Sequence, residues 1–175
     1  METVKLLGRY ASGERTFAGA DLQDADLSEA NLSGIILAHA NLEGANLNHS
    51  ILLEADFSEA NLQSATLWRA NLIRASLGGS SFAGAFLIRA NLSHASLNQA
   101  NFVKAEMRLI NLQGANLQGT DFTGANLQYA DLRGADLTHA NLAQANLTGA
   151  ILDNAILTGA QLPESLLTSP LSVVV

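Results

Sequence analysis

The chain has 175 residues, 48% of them apolar but only 5% aromatic, and a formal net charge of −7. A mean hydropathy of +0.17 would suit a membrane protein, yet Asn, Asp, Ser or Gln interrupts every few positions, so no run approaches the ~20 consecutive apolar residues of a membrane-spanning helix. The absence of cysteine excludes disulfides and thiolate metal sites, and a cytoplasmic location without membrane attachment is the simplest expectation.

Residues 1–16 read as an N-terminal cap. Val4, Leu6, Leu7 and Tyr10 fall near helical spacing, which predicts a short helix closing one end of a longer repetitive region. Glu2, Lys5 and Arg9 break the apolar stretch that a secretory signal requires.

From residue 17 to 167 a period of five dominates. Of the 29 positions from 22 to 162 spaced by five, every one is Leu except Phe57, Phe82, Phe102, Phe122 and Met107. The residue two before is Ala, except for Ile35, Ser50, Ser80, Ile110 and Thr120, and the residue between is Asn or Asp in 18 of the 29. An α-helix advances about 140° beyond a whole turn in five residues, so these leucines would spiral round every face. In a flat strand an odd period sends alternate leucines into water. A chain that turns a corner every pentad keeps all of them inward, and four corners of about 90° close a coil of 20 residues whose turns stack at roughly 4.8 Å.

Phe82, Phe102 and Phe122 lie 20 residues apart and fall on one face of such a coil, where their rings are expected to stack. Alanine beside each leucine fits a narrow lumen that admits one large side chain per wall. Asn and Asp are expected at the corners, where their side chains bond neighbouring backbone, and the glycines of the last pentad position suit a tight turn.

This Ala-(Asp/Asn)-Leu-x-x pattern resembles the pentapeptide-repeat family from about Phe17 to Leu167. The resemblance implies an all-β fold, a right-handed quadrilateral parallel β-helix with four flat faces. Some seven and a half coils would make a rod of roughly 36 Å. Ile35, Met107 and Ile110 are expected to swell their coils locally rather than break them. Residues 168–175 form a C-terminal tail or end cap, and Pro163 and Pro170 punctuate the apolar residues Leu166, Leu167, Leu171 and Val173 on either side of its start. These either fold over the last coil or join two rods, since family members commonly form homodimers through that end.

Flat walls over a full interior make a poor catalytic pocket, so no enzyme, cofactor or metal site is expected. His39, His49, His94 and His139 sit on outward corners, and no two of them occupy adjacent coils of one face. Threonines are too scattered to form an ice-ordering ladder; only Thr138 and Thr158 stack.

Charge is segregated along the rod. Thr16 to Ala60 carries eight acids and no Lys or Arg, whereas residues 61 to 110 carry Arg69, Arg74, Arg89, Lys104 and Arg108 against Glu106 alone. Some family members resemble B-DNA and modulate type II topoisomerases, which makes DNA gyrase the alternative partner. A duplex carries about one charge per 1.7 Å, so a rod of this length would need around 21. Direct nucleic-acid binding is not expected from so acidic a chain.

The 20-residue spacing also predicts an outward ladder of Trp68, Ile88, Arg108 and Gln128, with Arg69, Arg89, Leu109 and Tyr129 beside it and Phe86 across from it. Trp, Tyr and Arg are enriched where proteins meet proteins. The expectation is a non-enzymatic scaffold or interaction module whose protein partner this face contacts.

Overall fold

The computed structural model describes residues 1–164 and 166. An unbroken series of parallel bridges links each pentad to the pentad 20 residues later, from Thr16 with Ile36 to Asn141 with Gln161. Four pentads therefore make one coil, and the coils stack as a solenoid. The expectation of an all-β chain needs one correction. Among the described residues no continuous strand forms; each pentad lends a single residue to a bridge and spends two on a turn.

Hydrogen bonding explains why five residues suffice, because every N–H of a pentad with Asn or Asp at the bridge finds an acceptor. In the pentad 90–94, the Ala90 N–H closes a turn onto the Leu87 carbonyl (3.0 Å) and the Asn91 N–H reaches the Ala70 carbonyl of the preceding coil (2.9 Å). The N–H groups of Leu92 and His94 donate to Asn111 and Gln113 of the following coil (2.8 and 2.9 Å). The fifth donor, Ser93 N–H, lies on the turn and cannot reach a neighbouring carbonyl; the Oδ1 of Asn91 accepts it at 3.1 Å. All 18 Asn and Asp residues of this column accept the same bond, Asn111 from Gln113, Asp131 from Arg133 and Asp136 from Thr138 among them. Asn and Asp are thus the bridge residue before the corner, not the corner itself.

The corner is made by the two variable residues. Ala95 N–H bonds to the Leu92 carbonyl at 3.1 Å, and the second central residue, His94, has φ of 59°, the signature of a type II turn. Every pentad from Gly19 to Gly159 repeats that positive φ, and 18 of these residues are not glycine. None is Val, Ile or Thr, whose branched Cβ is the least compatible with this conformation. A left-handed residue costs roughly 1–2 kcal/mol, and bonds on both sides of the corner hold it there. Glycine suits the crowded corner at Gly149, where an added Cβ would fall 2.5 Å from Cδ1 of Tyr129 in the coil below and the ring would have to shift.

The lumen is filled by the Leu, Phe and Ala columns, nearly all of them fully buried up to Leu147. Phe82 and Phe102 stack with ring centroids 4.8 Å apart, and Phe102 and Phe122 at 5.4 Å. Ser50, Ser80 and Thr120 replace alanine without leaving a bare hydroxyl, since they donate to the carbonyls of Leu47, Leu77 and Leu97. Ile35, Met107 and Ile110 are buried and the ladder runs past them unbroken. The bond from Met107 N–H is 2.9 Å, the same as from Leu127 of that column, with 2.7 Å from Leu67 and Leu87, so no swelling particular to Met107 is seen.

Helix α1 (Thr3–Ala11) lies at the N-terminal end. Leu6 is wholly buried against the core, Met1, Leu7 and Tyr10 pack beside it, and the Tyr10 hydroxyl donates to the Ser33 carbonyl at 2.8 Å. Val4 departs from the expected capping stripe: it is 82% exposed, on the opposite side of the helix from Leu6. Among the described residues no helix is long and apolar enough to cross a membrane.

Candidate interaction surface

Because each outward residue lies one coil above the residue 20 before it, the wall over Leu67, Leu87, Met107 and Leu127 can be laid out column by column. The bridge column reads Thr66, Phe86, Glu106 and Asn126; the first turn column Trp68, Ile88, Arg108 and Gln128; the corner column Arg69, Arg89, Leu109 and Tyr129. All eight residues singled out from the sequence are brought together on this one wall. Eight large hydrophobic side chains are exposed among the described residues, and four stand here: Trp68 (41%), Phe86 (47%), Leu109 (46%) and Tyr129 (60%). Ile88 between them is half-buried.

These side chains are held in place. The Trp68 backbone N–H donates to Asn48 Oδ1 at 2.7 Å, His49 meets the indole edge-on at 4.5 Å, and the Arg69 guanidinium lies over it at 4.8 Å. Tyr129 rests over Gly149, where an added Cβ would force its ring to move. Glu106, the one acid among them, is occupied: Arg108 Nε lies 3.4 Å from it, and Asn126 Nδ2 donates to it at 3.1 Å. The ion pairs of the described residues leave out Arg69, Arg89 and Lys104. Lys104 occupies the corner at which the chain enters this wall, with φ of 57°, and the sequence reading did not include it. Its signal was present, as the corner column of the preceding wall borders this one.

Part of the wall also lacks the turn acceptor that most pentads use. Three successive bridge positions, Thr66, Phe86 and Glu106, lack the Asn or Asp that takes the turn N–H elsewhere, and at Trp68 the acceptor comes instead from Asn48 one coil earlier. The same acceptor is missing at Ile36, Ile51, Ser76, Ser81, Ser96, Ile151, Ile156 and Gln161 on the other walls, so its loss does not set this wall apart.

Other polar features are accounted for by the fold. His39 lies 3.3 Å from Glu59 and Arg74 3.6 Å from Glu54, both across one coil at exposed corners. The Asp131 carboxylate is held below the ordinary range chiefly by hydrogen bonds from the Arg133 side chain, Asp136 by the Thr138 hydroxyl and Gln118, and Asp26 by Ser28. At the far end Leu166 is partly buried against the core, while Leu167, Leu171 and Val173 lie outside the described residues.

The geometry and the comparisons agree on the class. The family model for pentapeptide repeats matches residues 16–52, 40–79, 70–108, 105–142 and 130–168, and the chain belongs to this family, whose fold is a right-handed β-helical solenoid. Among solved structures, the chain is 32% identical to HetL, a pentapeptide-repeat protein involved in heterocyst differentiation regulation in the cyanobacterium Nostoc sp. strain PCC 7120, covering 91% of this chain and 96% of that one with a TM-score of 0.30. Rfr23 from the cyanobacterium Cyanothece 51142 is 28% identical over 88% of this chain and 99% of its own, with a TM-score of 0.33. A trypsin-treated form of QnrB1, a plasmid-mediated fluoroquinolone resistance protein, is 20% identical over 81% of this chain and 84% of its own, with a TM-score of 0.55, a likeness of fold. Among curated proteins nothing matches the chain significantly.

Proposed function

We propose that this chain is a non-enzymatic rod that presents the Trp68 to Tyr129 wall to a protein partner. The observation that carries the reading is the gathering, on one wall of four, of half the exposed large hydrophobic residues together with three cations that have no acid partner among the described residues. Isolated apolar residues are normal on any surface; a contiguous patch edged with arginine has the composition of a contact site. The test is a photo-cross-linker placed at Gln128 in cells or native lysate. Adducts should form there and vanish in the Trp68→Ala/Ile88→Ser variant; adducts unchanged by that double substitution would remove the reading.

A second reading rests on the acidic N-terminal coils and the fold shared with QnrB1: partial mimicry of DNA toward a type II topoisomerase such as DNA gyrase. The acidic stretch spans only about 11 Å at 4.8 Å per coil and a basic belt follows it, which favours the first reading. Unchanged gyrase supercoiling and fluoroquinolone-stabilised cleavage at excess protein would dispose of the mimic. Homodimerisation through the C-terminal end is a separate proposal, supported by the partial exposure of Leu152, Leu157 and Leu162 in the last coil, and sedimentation would decide it. We place the protein in the cytoplasm.

A further inference from the structure

We propose that the partner of the Trp68 to Tyr129 wall is an acidic amphipathic helix lying parallel to the rod axis, an inference that rests on that wall being a contact surface. Charge favours an acidic partner. Arg69 and Arg89 line one corner of the wall and Lys104 the other, while Glu106 is taken up by Arg108 and Asn126. A partner that leaves no cation unmatched carries carboxylates on both flanks of an apolar stripe.

Spacing favours a helix. Trp68, Ile88, Arg108 and Gln128 rise one coil at a time, at about 4.8 Å per step. A helix advances about 5.4 Å per turn, so its successive turns track successive coils over three steps with under ~2 Å of accumulated drift. An extended segment returns its side chains to the same face only every ~6.8 Å and falls out of register after one coil. About three turns of helix would seat one apolar residue near Trp68, one over Ile88 and one against Leu109 and Tyr129, at the i, i+3/i+4, i+7 spacing of helix-in-groove recognition.

Other occupants fit less well. A nucleic acid would have to approach a chain of net charge −7 with eight acids in the coils just below the wall. A second copy docked with the same stretch of wall against itself would bring Arg69, Arg89 and Lys104 again without a matching carboxylate, since Glu106 is taken up by Arg108 and Asn126.

Trp68 is the sole tryptophan and reports on the site directly. The probe is a synthetic 14-residue peptide, helical in solution, with a leucine stripe at i, i+3/i+4, i+7 and glutamate on both flanks. Its titration should change Trp68 emission saturably. The same peptide with lysine for glutamate should bind at least tenfold more weakly, as should the Arg89→Glu/Lys104→Glu variant with the glutamate peptide. That variant keeps the fold, because Glu54 and Glu59 occupy the same corner conformation at φ of 56° and 57°. An unchanged thermal melt confirms it.

Equal binding of the lysine peptide, tighter binding of oligo(dT), or an emission change that sedimentation traces to dimerisation would each overturn the proposal. If cross-links at Gln128 still depend on Trp68 and Ile88 while the glutamate peptide fails to bind, the acidic helix is wrong and the contact surface stands. If both fail, both fall.

Discussion

Phe82, Phe102 and Phe122 stack inside the coil, wholly buried, whereas Trp68, Phe86 and Tyr129 climb the outside of the adjacent wall, exposed. The inner column is explained by the rod itself: its rings fill a lumen that leucine fills elsewhere. The outer residues, drawn from all three columns of their wall, gain nothing comparable from the fold. They stand where Thr66, Phe86 and Glu106 lack the Asn or Asp that accepts the turn N–H, a lack shared by eight pentads on the other walls. Similar residue types in neighbouring columns therefore answer to different demands, one structural and one directed outward.

The sharpest way to separate the columns is to truncate each. Phe102→Ala should cost about 3–5 kcal/mol through the cavity it leaves between Phe82 and Phe122, read as a fall in the denaturation midpoint; a loss below about 1 kcal/mol would mean that the stack is not under packing constraint. Next in size is the turn bond. Asn111→Ala removes the acceptor for the Gln113 N–H and should cost about 1 kcal/mol. The reverse change on the exposed wall, Phe86→Asn, should recover a similar amount while weakening the acidic probe, which is the behaviour of a position chosen for contact rather than for folding.

Acid should act on the repeat and spare the outer column. Asp26, Asp131 and Asp136 have carboxylates depressed in the folded state. The stability they contribute is complete above the ordinary Asp value near ~3.9 and is lost as pH falls through their lower folded values, because the unfolded chain takes up protons first. Asp131→Asn/Asp136→Asn should flatten that acid limb in melts between about pH 5 and 2. Smallest of all, Trp68→Ala should leave the melting curve within about 0.5 kcal/mol of the parent while abolishing the response at Gln128.

Much of the architecture was legible from spacing. The inward columns, the 20-residue coil and the phenylalanine stack follow from a period that neither helix nor strand can bury. The position of the corner did not follow. Asn and Asp favour turns in general, and only the hydrogen-bond geometry shows them seated one step earlier, serving the turn from outside it. Nor does composition announce that Glu59, Arg89 or Leu109 adopts a left-handed backbone, since these residues are imposed on by the coil rather than suited to it. The exposed wall was readable in its columns but not at its edge: Lys104 belongs by sequence to the preceding wall and joins this one only where the chain bends.

The 20-residue coil also governs how such a rod can change length. Removing or adding one pentad would carry every residue beyond it to the next wall, dispersing a patch such as Trp68 to Tyr129 while every leucine still pointed inward. Removing a whole coil would shorten the rod by one rung and leave each wall's composition in line. A five-residue indel therefore keeps the inward pattern of leucines and is drastic for recognition, whereas a 20-residue indel preserves alignment and alters only reach. Among relatives of this chain that share a partner, length differences should come in multiples of 20 wherever they fall between the first and last contact residues.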